Sequence, residues 1–119
     1  MGWTVELHPL FADEFRLFSE EVQDNLLAEI GLLERRGPQL GRPHADTLSA
    51  SKHRNMKELR FSADGGVWRT AFAFDPMRRA IVLVAGDKSG VSEKRFYKQL
   101  IKKADTRFDD HLARLEEDK

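Results

Sequence analysis

Between Lys57 and Lys88 the chain reads KELRFSADGGVWRTAFAFDPMRRAIVLVAGDK, three runs of β-forming residues separated by two turn signals. Runs this close together pair as neighbours, so an antiparallel meander is the frame that the rest of the chain must fit. In residues 56–61, Leu59 and Phe61 point to one face while Glu58 and Arg60 point to the other. Asp64-Gly65-Gly66 is a hairpin turn, because glycine accepts positive φ. In residues 67–75, Trp68, Thr70, Phe72 and Phe74 share one face, and Val67, Arg69, Ala71 and Ala73 share the other. Asp75-Pro76 opens the next turn. Residues 80–85 are apolar throughout, as suits a strand covered on both sides. Residues 86–90, GDKSG, read as a loop.

The flanks are mostly helical. Trp3 to Leu7 alternates as a short strand that His8-Pro9 ends. From Pro9, Phe11, Phe15 and Phe18 form an apolar stripe, and Ser19 is either the N-cap of a second helix or a kink in one long helix. Val22, Leu26, Leu27, Ile30 and Leu33 continue the helical period until Gly37-Pro38 stops it. Residues 37–55 are the longest irregular stretch, anchored by Leu40 and Leu48, and a connection of that length is often functional. A long helix begins at Ser92, with Phe96, Tyr97, Leu100, Ile101, Ala104, Phe108, Leu112 and Leu115 along one side. The expected fold is one α+β domain over residues 1–119. It combines a small, antiparallel-rich sheet (an N-terminal strand plus the meander) with an N-terminal helical hairpin or kinked helix and a long C-terminal helix.

Several function classes drop out. There is no cysteine, so neither disulfides nor thiolate chemistry is available. No apolar run approaches the roughly 20 residues of a membrane span, and the N-terminal residues lack a signal-peptide pattern; a cytoplasmic protein is expected. His8, His44, His53 and His111 show no metal-ligand spacing, so no metal is expected. Neither GxxxxGK[ST] nor GxGxxG occurs, so no nucleotide cofactor is expected.

The 20 basic and 20 acidic residues cancel overall but are unevenly placed. Residues 1–41 carry a net −5, residues 42–103 a net +8 and residues 104–119 a net −3. The last helix is basic in its first half and acidic at its end, backwards for the helix dipole. A basic block between acidic ends fits a phosphate-binding face. Within it, Arg60 and Arg69 project from the face where Ala71 and Ala73 would leave a shallow floor. Two adjacent arginines need an anion between them: Glu58 as a surface salt bridge, or a phosphate whose oxygens match the guanidinium fork. Lys57, Lys88 and the cations of the irregular stretch would surround the same place.

Five blocks, LGRPHADTL (40–48), SKHRNMKELRF (51–61), VWRTAFAFDP (67–76), AIVLVAGDKSG (80–90) and FYKQLIKKAD (96–105), resemble the RelE/ParE toxin superfamily in its HigB-type, phage Gp49-like branch. The resemblance implies a RelE-like fold and the toxin of a type II toxin–antitoxin system. Its function would be ribosome-dependent cleavage of messenger RNA, with the substrate's own 2′-hydroxyl attacking phosphorus without a metal. A ParE-like inhibitor of DNA gyrase, or a non-toxic homologue that only binds a partner, are the alternatives. The implied partners are a helix-turn-helix antitoxin, the messenger and ribosome, and, with the antitoxin, operator DNA. By motif, the catalytic cations are Lys57, Arg60, Arg69 and Lys88. For the proton transfers that this reaction needs, His53 has the best-matched unperturbed pKa, with Lys57, Asp87 and Lys88 as alternatives. Arg42, Lys52, Arg54, Lys94 and Lys98 would contact the RNA. Tyr97, the one counterpart of a tyrosine that some relatives use, is expected in the core.

Overall fold

The computed structural model describes residues 2–118. In chain order it contains β1 (Thr4–Leu7), α1 (Pro9–Phe15), α2 (Glu20–Arg36), a 3-10 turn (Gly37–Gln39), β2 (Ala45–Thr47), β3 (Met56–Ala63), β4 (Gly66–Phe74), β5 (Arg79–Asp87) and α3 (Glu93–Glu117). The strands form one sheet in the order β1-β5-β4-β3-β2. Only β1 runs parallel to its neighbour; the other pairings are antiparallel. The expected α+β class and antiparallel-rich sheet are both present.

Local chemistry explains where the elements begin and end. Ser19 caps a separate α2 by accepting from the Val22 N–H, so the first helical region is a hairpin. Ser92 caps α3 in the same way through Arg95. At Gly37, which ends α2 with φ +56°, a Cβ would collide with the Trp3 indole. Asp64 and Gly65 both take positive φ, as a two-residue hairpin turn requires.

The sheet is covered on both faces, and strand alternation divides the core in two. On one side Leu59, Phe61, Phe72 and Val82 pack with Phe11, Val22, Leu26 and Leu33 of the helical hairpin. On the other, Met56, Ala71, Ala73, Ile81 and Leu83 pack with Phe96, Leu100, Ala104 and Phe108 of α3.

This layering corrects the alanine floor. Ala71 and Ala73 are fully buried beneath α3; they are small so that the helix can lie on the strand. Only the end of that face beyond them, at Arg60 and Arg69, is left for a ligand. The irregular stretch also contains an unforeseen fifth strand, β2, which pairs with Lys57, Glu58 and Leu59 of β3. Gly86 and Asp87, read as loop, complete β5.

Candidate functional site

The site grows from one cross-strand pair. The β3–β4 register sets Arg60 directly opposite Arg69, with Glu58 opposite Ala71. Two cations at paired positions repel, and Glu58 relieves the repulsion. Its Oε1 lies 3.8 Å from Nε of Arg69 and its Oε2 lies 4.0 Å from Nε of Arg60. These are charge contacts, too long for hydrogen bonds. The hydrogen bond to the carboxylate comes from α3, where the Tyr97 hydroxyl donates to Oε1 of Glu58 at 2.8 Å. Tyr97 is thus not a plain core residue: α3 brings its hydroxyl into the site.

The two arginines differ in setting. Arg69 has 8% of its side chain exposed and Arg60 has 28%. Arg69 donates from Nη1 to the carbonyl of Trp68 at 2.9 Å, while its buried Nε has no hydrogen-bond partner among the described residues. Arg60 faces a cleft that it lines with Arg42, Pro43, Phe61, Ser62, Val67 and Arg69. Arg42 is held by Asp46 at 2.6 Å, and Asp46 stands opposite Glu58 on β2. Lys88 sits 5.8 Å from the centre of the Tyr97 ring and 2.8 Å from the Glu93 carboxylate.

Burial raises the Glu58 pKa above its ordinary value, opposed by the Tyr97 hydroxyl and then by the charges of Arg69 and Arg60. Burial and the same hydrogen bond push Tyr97 up to about 12, so it remains a hydroxyl donor at neutral pH. A desolvated carboxyl poised upward beside cations, just behind a cleft that those cations line, is a candidate proton-transfer group. Glu58 was visible in the sequence only as a salt-bridge partner. The signal that could have raised it was its position on the Arg60 face, two residues along the strand.

Other expected residues are placed elsewhere. Lys57 has the parity of Leu59 and Phe61, so it emerges on the helical-hairpin face, where Nζ donates to the Pro38 carbonyl at 3.3 Å. It does not join the arginines. His53 precedes β3 at the Met56–Ala73 end of the sheet, and Ala73 lies four residues, about 13 Å, along β4 from Arg69. There its Nε2 is 2.9 Å from Asp109 and its ring meets Phe108 edge-on. His53 therefore fastens the loop to α3 and is remote from the arginine pair. Lys52 pairs with the same Asp109. Asp87 accepts from the N–H groups of Val67 and Ser89, a turn-building role, and the Ser89 bonds above all hold its carboxyl below the usual carboxylate value. Arg54, Lys94 and Lys98 are exposed, the last two flanking Tyr97 on α3. Among the described residues no three His, Asp or Glu side chains converge as a metal site would require. No helix among them is long and apolar enough to cross a membrane.

The fold and site together define a RelE-like α+β protein with a cleft lined by Arg42, Arg60 and Arg69 at the β3–β4 end of its sheet. The E. coli toxin RelE, solved as a mutant in the free state, superposes with a TM-score of 0.58 over 87% of this chain and 97% of RelE, at 12% identity. Within that fold the chain belongs to the phage-derived Gp49-like family, whose profile matches residues 13–109. It is 42% identical to the toxin candidate HigB2 of Mycobacterium tuberculosis over its whole length, and spans 59% of that relative. To the toxin candidate HigB3 of the same organism it is 43% identical over 83% of this chain and 84% of HigB3. These relatives identify it as a HigB-type member of the RelE/ParE superfamily.

Proposed function

We propose that this protein is the toxin of a type II toxin–antitoxin system and that it cuts messenger RNA on the ribosome. The observation that carries the reading is Glu58, buried between Arg60 and Arg69 and hydrogen-bonded by Tyr97 at 2.8 Å. The HigB-type relatives support it at the level of family.

RNA contains its own nucleophile, so the protein needs only a base, an acid and a stabiliser of phosphoryl charge. Glu58 takes the proton from the 2′-hydroxyl as that oxygen bonds to phosphorus. The bond from phosphorus to the 5′ oxygen breaks, leaving a 2′,3′-cyclic phosphate and a 5′-hydroxyl. Arg60, the exposed member of the pair, meets the phosphoryl oxygens; one such donor contributes about 3 kcal/mol. Lys88, whose ammonium lies beside the Tyr97 ring, protonates the leaving oxygen. Arg42, Lys94 and Lys98 hold the strand on either side, and the ribosome presents the messenger. A helix-turn-helix antitoxin silences the toxin and, bound to it, occupies operator DNA.

The test is primer extension on a messenger translated in a purified system with added protein. The reading predicts new 5′ ends that depend on ribosomes and disappear with Arg60→Ala. Intact messenger accompanied by broken DNA after induction in cells would instead identify a gyrase inhibitor.

A further inference from the structure

We infer that Arg69 is a positioning residue: it acts on Glu58, while Arg60 alone of the cross-strand pair acts on the substrate. The inference rests on the RNA-cleavage reading for its consequence, but its core is a statement about the free protein.

The two guanidinium groups are almost equally far from the carboxylate, at 3.8 Å for Arg69 and 4.0 Å for Arg60. Distance therefore does not separate them; surroundings do. Arg69 is 7% exposed and fixed through Nη1 to the Trp68 carbonyl, so its charge acts through protein. Arg60 stands at the cleft wall, where water screens it. At equal distance the interaction strengthens as the effective dielectric falls. Arg69 also borders the cleft, yet it offers little surface there, and turning it outward would break its backbone bond and strand Glu58. The unpartnered Nε of Arg69 faces the carboxylate at a distance that supplies charge without a hydrogen bond. That arrangement favours the ionised form against the upward pull of burial, while Arg69 occupies none of the carboxylate's lone pairs.

Every element packed around Glu58 contributes a group. β4 supplies Arg69, β3 supplies Arg60, α3 supplies the Tyr97 hydroxyl, and β2 supplies Asp46, with Arg42 tied to it. Asp46 and burial favour the protonated form, and Tyr97 and the arginines favour the ionised one. Of the two arginine charges, that of Arg69 is the larger influence. Removing it leaves a buried carboxyl with an acidic neighbour and one screened cation.

The experiment is a carbon-13 titration of the Glu58 side-chain carboxyl in the full chain, alongside cleavage measured across pH. Loss of a close opposite charge moves a carboxyl by about one to three pH units. Arg69→Gln and Arg69→Met should each raise the Glu58 midpoint by about one unit or more, whereas Arg60→Gln should move it by less than about half a unit. Cleavage by the Arg69 variants should then lose its acid side over the same interval and recover towards wild type at higher pH. Cleavage by Arg60→Gln should fall equally at every pH. Arg69→Lys, which keeps the charge, should restore the midpoint. An unmoved Glu58 midpoint in the Arg69 variants overturns the inference, and so does a shift of a unit or more in Arg60→Gln. The second criterion holds even if the buried substitutions prevent folding. A wild-type protein that cuts no RNA would remove the functional reading, and the titration would still decide the role of Arg69.

Discussion

In the proposed reaction Glu58 meets two demands at once: it neutralises a repelling arginine pair, and it takes the proton. Tyr97 reconciles them by donating a hydrogen bond that favours the ionised form. A hydrogen bond to a charged group contributes roughly 1.5 kcal/mol, close to a factor of ten. Tyr97→Phe should therefore reduce cleavage about tenfold at neutral pH, with partial recovery as pH rises, read from initial rates on ribosome-bound messenger. A loss that is the same at all pH values would argue that Tyr97 touches the RNA instead. At His53 the opposite result is expected. His53→Ala removes the contacts to Asp109 and Phe108 and should lower stability by about 1 kcal/mol in urea unfolding. Cleavage per folded molecule should stay unchanged. Sequence alone favoured His53 because imidazole has the most convenient unperturbed pKa, and that argument contains no information about place.

α3 is the element that makes the site, since it covers the sheet up to Ala71 and delivers Tyr97 beyond it. Ala73 has no exposed surface beneath this helix. Ala73→Leu should lift α3 from the strand and cost about 1–3 kcal/mol, seen as a lower thermal midpoint together with weaker cleavage. An unchanged midpoint would mean that the helix is loosely seated. The alternation of β3 and β4 was legible, because Leu59 and Phe61 against Glu58 and Arg60 is a period-two pattern whatever the partners are. The same rule places Lys57 on the face away from the arginines, although the family motif groups them. What lay on the alanine face was not legible, because a small residue serves an open floor and a close-packed helix equally well. β2 was hidden because its three residues, Ala45–Thr47, join the sheet through backbone pairing, which no side-chain period records. The approach of Tyr97 to Glu58, 39 positions apart, depends on the rotational setting of α3 and so on the packing of the whole core.

Across the whole molecule, charge is segregated between a basic working end and ionic clamps that hold the layers together. Arg107 of α3 bonds Glu14 of α1 and the Leu83 carbonyl, and His111 of α3 bonds Asp75 at the end of β4. His8, next to Asp110, is pushed below its usual 6.5 chiefly by burial. Folded His8 is thus neutral where the unfolded residue is charged; its contribution is complete above pH 6.5 and erodes as pH falls below that value. For Asp75, burial pulls upward, but bonds from His111 and Arg79 hold it below 3.8; for Glu14, the Arg107 bond holds it below 4.5. Their contributions are present above those values and are lost as pH falls through the lower folded ones. On acidification below pH 6.5 the urea midpoint of wild type should therefore fall relative to that of His8→Gln. Both should lose the Asp75 and Glu14 contributions at lower pH; Glu58, raised above 4.5 by burial, works in the opposite direction equally in both proteins. A wild-type midpoint that parallels His8→Gln from neutrality to about pH 5 would contradict the His8 contribution. In the proposed reaction the same molecule, through Glu58, takes a proton from RNA. The most direct measurement of that step is the rate of messenger cleavage on purified ribosomes by wild type and Glu58→Gln. A general base contributes about 10²–10⁴-fold, so the variant should bind ribosomes normally and cut at least about a hundredfold more slowly. Cleavage by Glu58→Gln at the wild-type rate would contradict it.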